Sequence, residues 1–464
     1  MDDLLARVQA RVAERFPADL ERIREYLRMP SVSATGEGIR EVAEATGAWI
    51  QGAGGSFELV STPGHPLVLG ELPGPVGAPR LLRYGMYDVQ PAQEPEWSSP
   101  PFAAEVRDLP GVGPAVVARG SANSKGCLAG FFLAVEVLRE LDAMPLTVAL
   151  MIEGEEELGS PNLPAAVRAR ADDLTAEAAF DLDLTAGLDG QPELILGCKG
   201  LCDLELVAEA GEWGGPAIDL HSSEQAWIAS PVWALVQALA TLTDADEGIR
   251  VAGLDGGQGP GDGDRRLLAE LAAGFDPVEH LREAHATRYR LPGGPAELLE
   301  ALLFRPTLNI SGISAGYVGP GGKTIVPSRA VARVDIRLVG GDPEAAAAAV
   351  RRHLDERGFG HVEVRLLDSY PWAKATPGNR SEVAMRASYR ALGRIPLPYP
   401  LAPWCAPYFV FDRILGLPWA SGGVGHAAGA HGPDEYATLA GLEEHIVGAA
   451  AFLLAYADLP KADR

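Results

Sequence analysis

Apolar runs of strand length and amphipathic segments of helical period take turns through the first 184 residues, and few architectures accept that order. The runs "PLVLGEL", "RLLRYGMYDV", "AVVARG", "LTVALMIEG" and "AAFDLDL" are separated by "CLAGFFLAVEVLREL" and "LPAAVRARA", whose apolar residues recur every three or four positions. Strand and helix in turn predict a three-layer α/β domain with a mainly parallel central sheet. Such a sheet gathers ligands beyond the carboxyl ends of its strands. Asp88, the run Glu155, Glu156 and Glu157, and Asp183 all fall there. Ahead of them Leu4, Leu5, Val8, Val12 and Phe16 keep helical spacing, and the period resumes after Pro17 in Leu20, Ile23 and Leu27, so two helices are expected to open the chain.

The texture changes after "LILGCKGLCDLELVAEA". A Gly/Asp-rich stretch, "GLDGGQGPGDGDRR", precedes the alternating "VARVDIRLVGG" and the Ala-rich helix "DPEAAAAAVRRHLDERG", which predicts a second, α+β domain. From about Glu382 the helical "VAMRASYRALG" and "LEEHIVGAAAFLLAYA" return to the first type. The expected organisation is a catalytic domain over residues 1–200 and 382–464, interrupted by an inserted domain over 201–381. With 464 residues, 47% hydrophobic and 22% charged, the chain has material for packed cores. Its 39 Lys and Arg against 63 Asp and Glu leave a net charge of -24, which repels nucleic acid and anionic membrane. No apolar run reaches membrane-spanning length, "MDDLLARVQARVAERF" lacks the features of a signal peptide, and four dispersed cysteines form no disulfide framework, so a cytoplasmic protein is expected.

Two stretches carry the chemistry. In "MIEGEEELGS" consecutive carboxylates crowd one point at a repulsive cost that a cation relieves, and one Glu can ligate while its neighbour exchanges a proton with water. In "GVGHAAGAHGPDEY" a Gly-rich loop offers His426 and His431 as imidazole ligands. "GYVGPGGKTIVP" is not a phosphate loop, because Tyr317 stands where that pattern needs glycine and Pro327 falls where a helix should start.

Taken in order, "ERIREYLRMPSVSA", "YGMYDVQPA", "EWSSPPF", "ARGSANSKG", "IEGEEELGS", "DLHS", "NISGISAGYVGPGGKTIVPSRAVARVDIRLV" and "HGPDEY" resemble the two-zinc exopeptidases that include carnosine dipeptidase, glutamate carboxypeptidase, aminoacylase and succinyl-diaminopimelate desuccinylase, most closely the dipeptidase branch. The resemblance implies a zinc-binding catalytic domain split by a lid that also mediates homodimerisation. It implies Glu156 as general base, Glu157 and His431 as ligands of one zinc and Asp183 as a ligand of the other. His221 would stabilise an oxyanion, acting within its own chain or across a dimer interface. Asn309, Thr324 and Arg337 would contact substrate, the arginine gripping the substrate's carboxylate. Asp88 and His426 are further candidates at the centre.

Three positions depart from the family pattern. Met86 replaces a zinc-ligating histidine in "GMYDVQP", and Asn123 replaces the aspartate that bridges both metals. In the substrate strand "PLAPWCAP" gives Pro400 for an arginine, Ala402 and Pro403 for two glycines and Trp404 for a serine. A neutral amide cannot supply the bridging charge, so one zinc or fewer is expected, with the Asn123 carbonyl as a replacement donor. The expected function is a metal-dependent hydrolase of dipeptides or N-acyl amino acids with a degenerate centre. Two alternatives stay open: a non-hydrolytic relative that acts on or forms an amide of an amino acid, and a non-catalytic carboxylate-binding protein.

Overall fold

The computed structural model describes residues 2–93, 95–254, 256–257 and 259–460. Its larger sheet has eight strands in the order Ser56–Val60, Leu67–Leu72, Thr147–Glu153, Arg80–Met86, Ala178–Leu182, Trp419–Gly422, Glu193–Ile195 and Leu397–Tyr399. Thr147–Glu153, Arg80–Met86, Ala178–Leu182 and Trp419–Gly422 pair in parallel, and antiparallel strands extend the sheet beyond Thr147–Glu153. Helices cover its faces, so its central strands are buried on both sides and read as continuous apolar runs. Met86 lies opposite Glu153, so the two strands end level and release Asp88 and the acidic run side by side.

The opening of the chain differs from expectation. Asp2–Leu27 is one helix with Pro17 inside it, and the second helix is Ile39–Gly52. Proline removes one backbone hydrogen bond but does not alter the apolar stripe, and Leu5, Val8, Val12, Ile23 and Leu27 are all buried. Arg15 and Arg22, on either side of Pro17, both pair with Glu136 at 2.7 Å. Among the described residues Leu439–Ala457 is the one helix long and apolar enough to cross a membrane, and it lies in the core against Lys125–Glu140 and Arg380–Ala391.

A second, antiparallel sheet runs Thr307–Ala315, Arg329–Leu338, Gly200–Glu209 and Glu363–Tyr370. Its alternate residues Cys202, Leu204 and Leu206, with Ala332, Val334 and Ile336, are buried under helices Pro231–Leu239 and Pro343–Glu356. The Gly/Asp-rich stretch ends in a helix, Asp262–Gly274, followed by Pro277–Glu283 and Pro295–Phe304. This insert does not sit on the second sheet alone. Its Leu268, Leu271 and Leu299 share a core with Val339, with Leu401 and with the edge strand residues Leu397 and Tyr399 of the larger sheet.

Candidate active site

The strand Arg80–Met86 delivers Asp88 to the carboxyl edge of the sheet, where it is fully buried. It accepts hydrogen bonds from the backbone N–H groups of Glu156 at 3.2 Å and Glu157 at 3.0 Å, which fixes the acidic turn. Burial pushes its carboxyl up to about 7. Of the three consecutive acids, Glu155 points away, because Asn162 Nδ2 donates to both its oxygens at 3.0 and 2.9 Å. Burial, then the charge of Glu157, raises the Glu156 carboxyl well above the usual range.

Glu157, Asn123 and His431 meet. Asn123 Nδ2 lies 2.8 Å from Glu157 Oε1 and 2.9 Å from His431 Nε2, and His431 Nε2 lies 3.2 Å from Glu157 Oε2. Gln90 Nε2 donates to Glu157 Oε2 at 2.8 Å. Hydrogen bonding to Glu157 raises the His431 imidazole above its ordinary value. The loop carrying Asn123 is held from beneath by Glu435, whose Oε1 accepts the N–H groups of Gly120, Ala122 and Asn123 at 3.1, 2.9 and 2.9 Å. Its Oε2 accepts Arg119 Nη1 at 2.7 Å, and both side chains are buried.

Met86, Asn123, Glu156, Asp183, Trp404 and His431 line one cavity of about 430 Å³. Arg83, Asp181 and Cys405 also face it. The Arg83 guanidinium forms a buried ion pair with Asp181 and donates to Leu182 O at 2.9 Å, and Tyr408 Oη donates to Asp181 Oδ2 at 2.6 Å. Burial pushes Asp183 up to about 7, while Arg83 opposes that rise. The arrangement is a half-enclosed acidic pocket with one imidazole and one internal cation, suited to moving protons beside a polar substrate.

The model of peptidase family M20/M25/M40 matches residues 84–458. The chain belongs to that family. Cys-Gly metallodipeptidase dug1 of Schizosaccharomyces pombe is 30% identical over 351 residues, covering 71% of this chain and 70% of that protein. The Beta-Ala-His dipeptidase of Rattus norvegicus is 28% identical over 346 residues, covering 72% of this chain and 68% of that protein. Among solved structures, an M20 family metallo-carboxypeptidase from Sulfolobus solfataricus superposes with a TM-score of 0.87 at 31% identity, over 95% of this chain and 99% of that one.

The M20 chain brings only part of the expected set together. His221 is exposed on the second domain, its Nδ1 2.9 Å from Ser223 Oγ, and Thr324 is exposed with its carbonyl bonded to Ser222 N at 3.1 Å. Asn309 Nδ2 donates to Asp335 Oδ2 at 2.8 Å. None of the three lines the cavity. Arg337 reaches its edge, with Nη1 3.3 Å from Cys405 Sγ. His426 belongs elsewhere: its Nδ1 lies 2.8 Å from Ala186 O, its Nε2 3.1 Å from Tyr436 Oη, and it lines a separate cavity of about 420 Å³. Both ring nitrogens are engaged there, so His426 does not replace an imidazole at the centre. Arg83, Glu435, Gln90 and Cys405 were not foreseen. An arginine inside a buried strand and a glutamate beside the distal histidine were the available signals, since each requires a buried partner.

Proposed function

We propose that this chain is a metal-dependent hydrolase of amide bonds in dipeptides or N-acyl amino acids, with a centre that holds one ion rather than two. The observation that carries the reading is the meeting of Glu157, His431 and Asn123 within 3.2 Å of one another beside Glu156. Family membership implies a metal, typically zinc, and relatives named as dipeptidases support the substrate class. The donors do not fit two dications. Met86 offers a soft thioether among hard carboxylates, Asn123 has no charge to bridge with, and Arg83 already places a cation beside Asp181 and Asp183. Among the described residues no three of His, Cys, Asp and Glu are grouped to hold an ion.

They do fit one. Glu157 and His431 would hold it, with the Asn123 amide turned over so that its carbonyl oxygen takes the place that Nδ2 has between them, which makes the three protein ligands that a catalytic zinc needs. The ion would supply Lewis acidity at the scissile carbonyl. Glu156, whose carboxyl burial and the charge of Glu157 raise above the usual carboxylate range, takes a proton from water and returns it to the leaving amine. Arg337 binds the substrate carboxylate, and Trp404 closes the pocket where small residues stand in the family pattern. A second copy of the chain, docked through the inserted domain, brings His221 to the site. The test is elemental analysis of protein purified without chelator, then zinc titration with dipeptide hydrolysis as readout. About one zinc per chain with activity that follows zinc content is the expected result, and a protein that binds no zinc at micromolar concentration refutes it.

A further inference from the structure

Behind Trp404 lies a second cavity, of about 250 Å³, which that indole shares with the candidate active site. Its walls are Leu271, Phe275, Leu299, Tyr399 and Trp404, and one carboxylate, Glu193, faces into it. The backbone of Glu193 is pinned: its N–H donates to Thr185 Oγ1 at 3.1 Å, its carbonyl accepts Tyr389 Oη at 2.8 Å, and its strand pairs with Leu397–Tyr399. No hydrogen bond or ion pair to the Glu193 carboxylate occurs among the described residues. Of the other titratable groups on the wall, Tyr399 and His280, the imidazole is engaged with Tyr289, Nδ1 to Oη 2.9 Å.

A partly buried carboxylate among apolar walls with no cation beside it is costly, and a pocket that needed only a floor would be better served by an aliphatic residue there. Aromatic faces around a lone carboxylate form instead the usual environment of an organic cation, which the rings attract through their quadrupoles and the carboxylate through its charge. The volume is below the ~300–1,000 Å³ of sites for whole ligands, so it suits a side chain. We infer that this cavity is a specificity subsite for a substrate residue that ends in an ammonium group, with Trp404 as the shared wall between that side chain and the scissile bond, an assignment that rests on the proposed hydrolysis of a small amide. Burial alone pushes the Glu193 carboxyl up to about 7, and a bound cation would return it to its charged form.

The test uses binding first, so that it does not depend on turnover. Calorimetric titration compares choline with its neutral isostere 3,3-dimethyl-1-butanol, and Ala-Lys and Lys-Ala with the matching norleucine dipeptides. The expected result is that choline, and at least one lysine dipeptide, binds about tenfold tighter than its neutral counterpart, and that Glu193→Gln abolishes both preferences. Glutamine keeps the shape of the site and removes an uncompensated charge, so this variant folds; Trp404→Ala provides a second, independent weakening of cation binding. Equal binding of cationic and neutral probes, or a preference that survives in Glu193→Gln, would overturn the subsite. A choline preference without a lysine preference overturns the assignment to a substrate side chain. Intact lysine preference in a protein that hydrolyses no dipeptide removes the proposed reaction and leaves the subsite standing.

Discussion

On the proposed one-ion reading Met86 and Asn123 would limit the metal, since both line the cavity where acids crowd and each offers a neutral donor. Restoring both, Met86→His with Asn123→Asp, should raise bound zinc toward two per chain by elemental analysis. A folded double variant with unchanged zinc content would assign the loss to Arg83, whose guanidinium sits with Asp181 and Asp183. Arg337→Ala should weaken binding of carboxylate-bearing ligands about tenfold or more while leaving their amidated analogues nearly unchanged in the same titration. Of the residues gathered at the candidate site, Glu156, Glu157, Asp183 and His431 stand out in the sequence because they lie in motifs at strand ends and in a Gly-rich loop. Glu435 does not, although it stands two residues from Pro433, because its partners are three backbone N–H groups and an arginine more than three hundred residues away in the chain, which no sequence pattern displays. Arg83 was passed over inside an apolar run for the same reason: its partner Asp181 lies on a neighbouring strand, about a hundred residues away in the chain.

At the level of single elements, two helices of the catalytic half are fitted to each other through one glycine. Gly130 of Lys125–Glu140 leaves room for His445 of Leu439–Ala457, whose Nε2 donates to Cys127 O at 2.9 Å. A Cβ at Gly130 would come within 2.6 Å of the imidazole Cδ2, so Gly130→Ala should cost about 1–3 kcal/mol by overpacking, read as a lower thermal midpoint. His445 also makes stability depend on pH. Burial holds its imidazole down to about 4 from an ordinary 6.5, so the unfolded chain takes up a proton below 6.5 that the folded chain refuses until about 4. Stability from this group is complete above pH 6.5 and is lost as pH falls toward 4, by on the order of 3 kcal/mol. His445→Gln, which keeps a donor for Cys127 O, should flatten that part of the stability profile in urea titrations. Helices and strands with a clear apolar period were read correctly here, from "CLAGFFLAVEVLREL" to "LEEHIVGAAAFLLAYA". The break expected at Pro17 fails because packing and the Glu136 ion pairs outweigh one lost hydrogen bond, and the helix beginning at Asp262 was hidden by the glycines just before it.

For the whole molecule, the second sheet has an open edge. Thr307–Ala315 pairs on one side only and exposes Ile310 and Ile313, an arrangement that invites a second copy. Ile313→Lys should shift sedimentation from dimer to monomer if this edge is the contact, and should lower turnover in parallel because His221 would no longer reach a neighbouring site. The three-helix insert has a different outcome. Its leucines are covered jointly by Val339, at the end of a second-sheet strand, and by the rim of the larger sheet, so neither sheet can be cut free without exposing Leu268, Leu271 and Leu299 to water. The insert works as a strap, and calorimetry should therefore record a single melting transition where two separately hinged bodies would give two.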